Sequence, residues 1–175
     1  MRIDLGCGTH KKDGFIGVDA LALPGVDVVA NLTQRWPFDD ASVLEAHSSH
    51  FVEHLTAAQR CHFANELYRV LAPGAKAAII VPCWSSGRAY GDPTHQWPPV
   101  SEMWFYYLSK EWRAANAPHT DKEHWAEGFD CDFEATWGYG LHQTLLTRNT
   151  EFQQFALNFY KEAAQDIHAT LTKKG

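Results

Sequence analysis

The first twenty residues, MRIDLGCGTHKKDGFIGVDA, crowd together a strand, a Gly-x-Gly turn, a second strand and an acidic residue. A nucleotide-binding βαβ unit needs about thirty residues to reach the same acidic position, because a full helix lies between its two strands. At about 1.5 Å per helical residue, the stretch between Leu5 and Phe15 has room for a loop over residues 9–14 or for one helical turn. The spacing therefore predicts an α/β chain whose first crossover helix is shortened or missing.

The rest of the chain supports that class. Residues 2–5, 15–18, 26–30 and 43–48 are short apolar or alternating runs, each stopped by Gly, Pro, Asp or Asn, and they read as four strands. Thr56 and Gln59 then make a capping-box pattern, followed by Phe63, Leu67, Val70 and Leu71 at helical spacing. Pro73 and Gly74 are expected to end this helix, and residues 75–81 to form a fifth strand. Near-continuous apolar strands joined by a helix fit a Rossmann-like, mostly parallel sheet with helices on both faces. Residues 82–129, rich in Pro, Gly, His and Trp, read as an aromatic insertion with helices near 101–108 and 110–115. Strand 131–137, helix 150–164 and strand 166–172 are expected to close the sheet. No repeat or linker interrupts the 175 residues, which read as one domain.

The net charge of −6 argues against broad binding to nucleic acid or to an anionic membrane, leaving only a local patch at Lys11 and Lys12. No apolar run approaches the roughly 18 residues of a membrane span, and no basic-apolar leader precedes the first strand, so a cytoplasmic protein is expected. Cys7, Cys61, Cys83 and Cys131 are widely spaced and form no CxxC, which favours reduced, structural thiols.

Chemistry concentrates at strand ends. In Asp4-Leu5-Gly6-Cys7-Gly8-Thr9 the glycines permit positive φ or close approach of a ligand, although a plain strand-to-loop turn explains them equally well. Asp19 follows the second strand, where a carboxylate can accept from both ribose hydroxyls; Asn31 follows the third, where an amide can pair with an adenine edge. Ligands of open α/β sheets sit beyond the carboxyl ends of the strands, so the three in order point to one site.

With these residues in view, the chain resembles the class I S-adenosylmethionine-dependent methyltransferases, above all the compact members that read LGCGT, then G…VD, WPF, EHL and LYRVLAPGA. The matching residues are 5–9, Gly14 with Val18 and Asp19, 36–38, 53–55 and 67–75, within the first half of the chain. The resemblance implies S-adenosylmethionine as cofactor, with Gly6 and Gly8 against its methionine part, Asp19 on ribose, and Asn31 with Leu32 framing adenine. It also implies that Ser49, His50 and Phe51 line the methyl-transfer side, and that Asp4, Cys7, Thr9 and Ala20 complete the contacts. His10 replaces the third glycine of the fuller motif, and Asn31 stands where the family usually has an acid.

The implied activity is O- or N-methylation of a small molecule, sugar or metabolite. A non-catalytic cofactor-binding protein and a nicotinamide-dependent α/β enzyme are the alternatives. Methyl transfer to a hydroxyl or ammonium needs a base, and His95 in GDPTHQW is the first candidate, with Asp92 as its orienting carboxylate and His50 next; His54 is also available. Trp84, Trp97, Trp104, Phe105, Tyr106, Tyr107, Trp112 and Trp125 suit either a pocket wall or the core of a small cap. Asp92, His95, His119, Asp121 and His124 match no tight zinc spacing, so no metal is expected. SSHFVEHL follows the fourth strand where DNA amino-methyltransferases carry Asp/Asn-Pro-Pro-aromatic, which argues against DNA as acceptor.

Overall fold

The computed structural model describes all residues, Met1–Gly175. Seven strands form one sheet: β1 (Arg2–Leu5), β2 (Ile16–Asp19), β3 (Val28–Val29), β4 (Val43–Ser49), β5 (Leu71–Pro82), β6 (Phe133–Leu141) and β7 (Ala164–Lys173). Their spatial order is β3-β2-β1-β4-β5-β7-β6, with β7 antiparallel to both neighbours and every other pairing parallel. This is the mostly parallel α/β sheet that the apolar runs predict. Residues 6–15 contain turns and no helix, so the first crossover helix is missing.

One face of the sheet holds the core. Ile3, Leu5, Ala46, Ala77, Ile79, Val81, Ile167, Ala169, Leu171 and Phe133 are buried there against Phe63, Ala64, Leu67 and Val70 of α1 (Ala57–Val70). The helix starts where its cap dictates: Thr56 accepts from the Gln59 N–H, and the Gln59 side chain accepts from the Thr56 N–H at 2.9 Å. The opposite face is polar. Arg2, Glu45, Lys76, Thr172 and Glu134 share one row across it, and Asp4, His47, Ala78, Thr170 and Thr136 the next; only Asp4 among them is buried. Helical cover is thus unequal between the two faces.

Several boundaries differ from expectation. The α1 helix stops at Val70, before Pro73, because Leu71 is already extended and pairs with Val43 of β4. Pro73 and Gly74 lie inside β5, where the register jumps from Val43↔Leu71 to Glu45↔Lys76; Gly74 has φ +75° in this bulge. The predicted 150–164 helix is shorter, α5 (Thr150–Phe159); of its apolar residues Phe152, Phe155 and Phe159 are exposed and Ala156 is buried.

The excursion after β5 carries α2 (Arg88–Gly91), α3 (Glu102–Tyr106) and α4 (Lys110–Asn116). Two buried arginines hold it. Arg60 of α1 donates to the main-chain oxygens of Val52 (3.2 Å), Glu53 (3.3 Å), Gln96 (3.1 Å) and Pro98 (2.6 Å). Arg113 donates to Asp121 Oδ1 (2.6 Å), Tyr107 O (2.7 Å) and Cys131 O (2.9 Å). The aromatic residues divide accordingly: Phe105 is buried and stacks on Trp137, Trp104, Tyr107 and Trp125 pack on the core, and Trp84, Trp97 and Tyr106 are exposed. Phe105, Trp104, Tyr107 and Trp125 thus belong to the core, and Trp84, Trp97 and Tyr106 do not.

Candidate functional site

The carboxyl ends of β1 and β2 meet through one carboxylate. Asp19 Oδ2 accepts from the Gly8 N–H at 3.0 Å and Oδ1 from the Leu21 N–H at 3.1 Å, so each oxygen keeps lone-pair capacity for another donor. Gly8 has φ +52°, and a Cβ there would meet nothing within 4 Å, leaving open space over the turn. Gly6 also has positive φ, +68°, but a Cβ on it would overlap the Phe51 ring, which itself packs against Phe63. The two glycines therefore answer different demands: Gly6 makes room for Phe51, whereas Gly8 keeps space clear.

Other expected contacts take on structural work. Asp4 is buried with Oδ1 at 2.7 Å from His47 Nδ1, while Oδ2 accepts from the Lys12 N–H at 2.8 Å, which fastens the helix-free loop to β1. Asn31 is exposed, its Oδ1 accepting from the Thr33 N–H (2.9 Å) and hydroxyl (2.8 Å), which leaves its Nδ2 as the outward-facing group. The Leu32 side chain is in the core, and its carbonyl accepts from Trp36 Nε1. Cys7 is buried beside Gly17, and burial raises its thiol pKa; all four cysteines are free and buried. Thr9 and Ala20 are exposed, with Thr9 Oγ1 at 3.1 Å from His10 Nδ1. Ser49 is half-buried at the end of β4.

Beyond β4 and β5 lies a cavity of about 550 Å³ lined by His50, Glu53, His54, Pro82, Arg88, Gly91, Asp92, Pro93 and His95. It brings together both sequence-derived histidines and Asp92. His50 has φ +55°, with Nδ1 3.3 Å from Glu53 Oε1 and Nε2 3.9 Å from Asp166 Oδ1. Glu53 beside it raises the His50 pKa, against the opposing effect of partial burial. Glu53 is only 3% exposed, and neither carboxylate oxygen has an aligned hydrogen-bond donor despite the close His50 ring. His95 Nδ1 lies 3.2 Å from Ala89 O, the geometry in which Nδ1–H donates and Nε2 keeps a lone pair. Asp92 is less of an orienting group than expected: its Oδ1 accepts from the Thr94 N–H and hydroxyl, and its Oδ2 is 3.9 Å from His95 Nε2. Trp97, 77% exposed, is absent from the cavity lining.

No family model matches the chain, and no curated protein matches its sequence. Solved structures do match. A SAM-dependent methyltransferase from Archaeoglobus fulgidus superposes with a TM-score of 0.67 at 20% identity, over 98% of this chain and 85% of that one. The fold is that of the S-adenosylmethionine-dependent methyltransferases. Geranyl diphosphate C-methyltransferase from Streptomyces coelicolor, solved with Mg²⁺, geranyl diphosphate and S-adenosylhomocysteine, matches at TM-score 0.50 and 18% identity, over 99% of this chain and 71% of that one. The [4+2]-cyclase SpnF matches at TM-score 0.57 and 15% identity, over 99% and 74%. The methyltransferase fold places the Gly8–Asp19 turn and the polar cavity at adjoining strand ends. Glu53, Arg88 and Asp166 are the polar groups that motif reading passed over. Glu53 was visible inside the EHL match, whereas Asp166 reaches the site only through its antiparallel pairing with Pro82.

Proposed function

We propose that the protein transfers a methyl group from S-adenosylmethionine to a small, polar, ionisable acceptor held in the cavity beyond β4 and β5, as O- or N-methylation. The observation that carries this reading is the adjacency of two unlike sites. One is an open glycine turn closed by Asp19, suited to a nucleoside; the other is a cavity lined by imidazoles and carboxylates. Ser49, His50 and Phe51 join them, since Phe51 leans over Gly6 while His50 faces the cavity.

In this reading Asp19 accepts from the ribose hydroxyls, and Asn31 Nδ2 is the group turned toward adenine. The methyl carbon passes from sulfonium to the acceptor oxygen or nitrogen in line, and the sulfur departs with the bonding pair as a neutral thioether. The acceptor's proton is handled at His95 Nε2, whose lone pair the Ala89 bond leaves free. The Asp92 carboxylate at 3.9 Å favours the positive charge that then arises.

Calorimetry with S-adenosylhomocysteine tests the cofactor half. The unmodified protein should bind it, and Asp19→Ala should weaken binding by roughly 1–3 kcal/mol through loss of charge-assisted hydrogen bonds. Tight NAD binding without measurable S-adenosylhomocysteine binding refutes the reading. With an acceptor in hand, His95→Ala should lower turnover by about 10²-fold or more at nearly unchanged cofactor affinity.

A further inference from the structure

We propose that Glu53, His54 and His95 bind one divalent transition-metal ion at the floor of the acceptor cavity. Each of the three offers a ligand atom within 4.8 Å of the other two. Spacing along the chain hides the set, because His95 comes from the excursion after β5 while Glu53 and His54 follow β4. Of the five residues whose spacing matches no zinc pattern, His95 alone belongs to this set; Asp92 lies beside it, and Asp121 is bonded to Arg113.

The hydrogen-bond network around the three fits ligation. Asp92 Oδ1 takes the Thr94 hydroxyl proton at 2.6 Å, so Thr94 Oγ1, 2.9 Å from His54 Nδ1, accepts from that nitrogen. His54 Nδ1 is thereby the protonated nitrogen and Nε2 the free one. The Ala89 carbonyl does the same for His95. Metal-binding histidines are held this way, with the second ring nitrogen donating to a carbonyl or to a carboxylate relay. The two rings stand edge to face at 4.8 Å between centroids, with no hydrogen bond between them.

Glu53 supplies an independent observation. It lines the cavity, is 97% buried and has both carboxylate oxygens without a donor. A buried ionised carboxylate costs several kcal/mol unless a cation or donors answer it. His50 Nδ1, 3.3 Å from Oε1, answers it in part but makes no aligned hydrogen bond, and the hydrogen bonds of the adjacent Arg60 guanidinium go to four main-chain carbonyls. Two imidazoles and one carboxylate suit zinc, cobalt(II) or manganese(II) better than magnesium or calcium, which prefer all-oxygen sets. His54 and His95 are half-buried, which leaves the remaining coordination positions facing the cavity.

This inference revises one step of the methyl-transfer reading. With His95 Nε2 on the ion, that nitrogen is no longer the base; a hydroxyl on the ion would instead lose its proton more readily, to solvent. Binding itself does not depend on that reading. The test is titration of EDTA-stripped full-length protein with zinc chloride by calorimetry, and with cobalt(II) by visible absorption. One ion per chain is expected, with micromolar or tighter affinity, and zinc should displace cobalt. Glu53→Gln and His54→Gln should each weaken binding by more than about 100-fold, and Thr94→Val by about 10- to 100-fold, the usual worth of an outer-shell partner. His119→Gln should change nothing. Circular dichroism identifies any variant that fails to fold, and the exposed Thr94 keeps the test open if Glu53→Gln does. No binding by the unmodified protein, or binding undiminished in the variants, overturns the metal site. S-adenosylhomocysteine bound without any ion overturns this inference alone; an ion bound without S-adenosylhomocysteine upholds it and overturns the methyl-transfer reading.

Discussion

Alanine at Gly6 and alanine at Gly8 should fail in different ways, although both glycines have positive φ. The backbone alone costs either variant about 1–2 kcal/mol, the strain of a left-handed conformation for an L-residue. At Gly8 that is the whole structural cost, because the new Cβ would meet nothing within 4 Å. At Gly6 the Cβ would overlap the Phe51 ring, which is half-buried and backed on one side by Phe63. Overpacking of this kind adds about 1–3 kcal/mol. Gly6→Ala should therefore cost about 2–5 kcal/mol in total. At about 2–4 °C per kcal/mol for a chain of this size, thermal melts should separate the two variants clearly. Phe51→Leu in the Gly6→Ala background should recover part of the loss, since contacting residues couple by about 0.5–3 kcal/mol. Gly8→Ala, despite its milder melt, should lower S-adenosylhomocysteine affinity, because its methyl occupies the space over the turn. Equal destabilisation of the two variants, or a neutral Gly6→Ala, would refute this division of labour.

Two further expectations concern stability. Burial pushes the Glu66 carboxyl up, but the Arg69 guanidinium (2.7 Å) and the Trp36 N–H (2.7 Å) outweigh it, and the pKa ends below the ordinary value. A carboxyl lowered on folding contributes stability that is present above its unfolded pKa of about 4.3 and is lost as pH falls through its folded pKa. Urea unfolding from neutral pH down to that range should thus show Glu66→Gln less stable at neutrality by about 1.5–3 kcal/mol, with a flatter acid limb; parallel pH profiles would contradict the assignment. Arg60→Met takes a donor from four main-chain carbonyls and leaves those of Gln96 and Pro98 with none, so it should destabilise by at least about 2 kcal/mol. Limited proteolysis should then cut first near Gln96 and Pro98, and an unchanged digestion pattern would count against the pinning role.

Local order carried the legible part of the fold. Ile3, Leu5, Ala77, Ile79 and Val81 face the core in strands whose runs are apolar or alternating, and Thr56 with Gln59 marks the start of α1 without help from tertiary contacts. Pro73 and Gly74 misled because a bulge in a strand and the end of a helix call for the same residues. The helical spacing of Phe152, Phe155, Ala156 and Phe159 is legible in the sequence, but which of them is buried depends on what packs against the helix, and of the four only Ala156 is. At the site, Asp19 and Gly8 were readable from strand-end order. Asp4 was readable only as a motif position, since its partners His47 and Lys12 become visible through strand pairing and loop folding. Glu53 could not be recognised as a carboxylate lacking aligned donors before its burial was known.

The missing crossover helix has a consequence for turnover of the protein in the cell. From Gly6 to Ser42 the chain has no helix, and its outer strand, β3, is two residues long with Val29 59% exposed at the edge. Local opening is cheapest where so little apolar surface is buried, so amide exchange should be fastest along this margin. A nucleoside seated across Asp19 and Asn31 would span that margin as a strut. By mass action, opening would then be suppressed in proportion to ligand concentration over Kd. On the methyl-transfer reading, susceptibility to proteases that attack the open edge would follow the supply of S-adenosylmethionine, coupling the lifetime of the polypeptide to the abundance of that molecule.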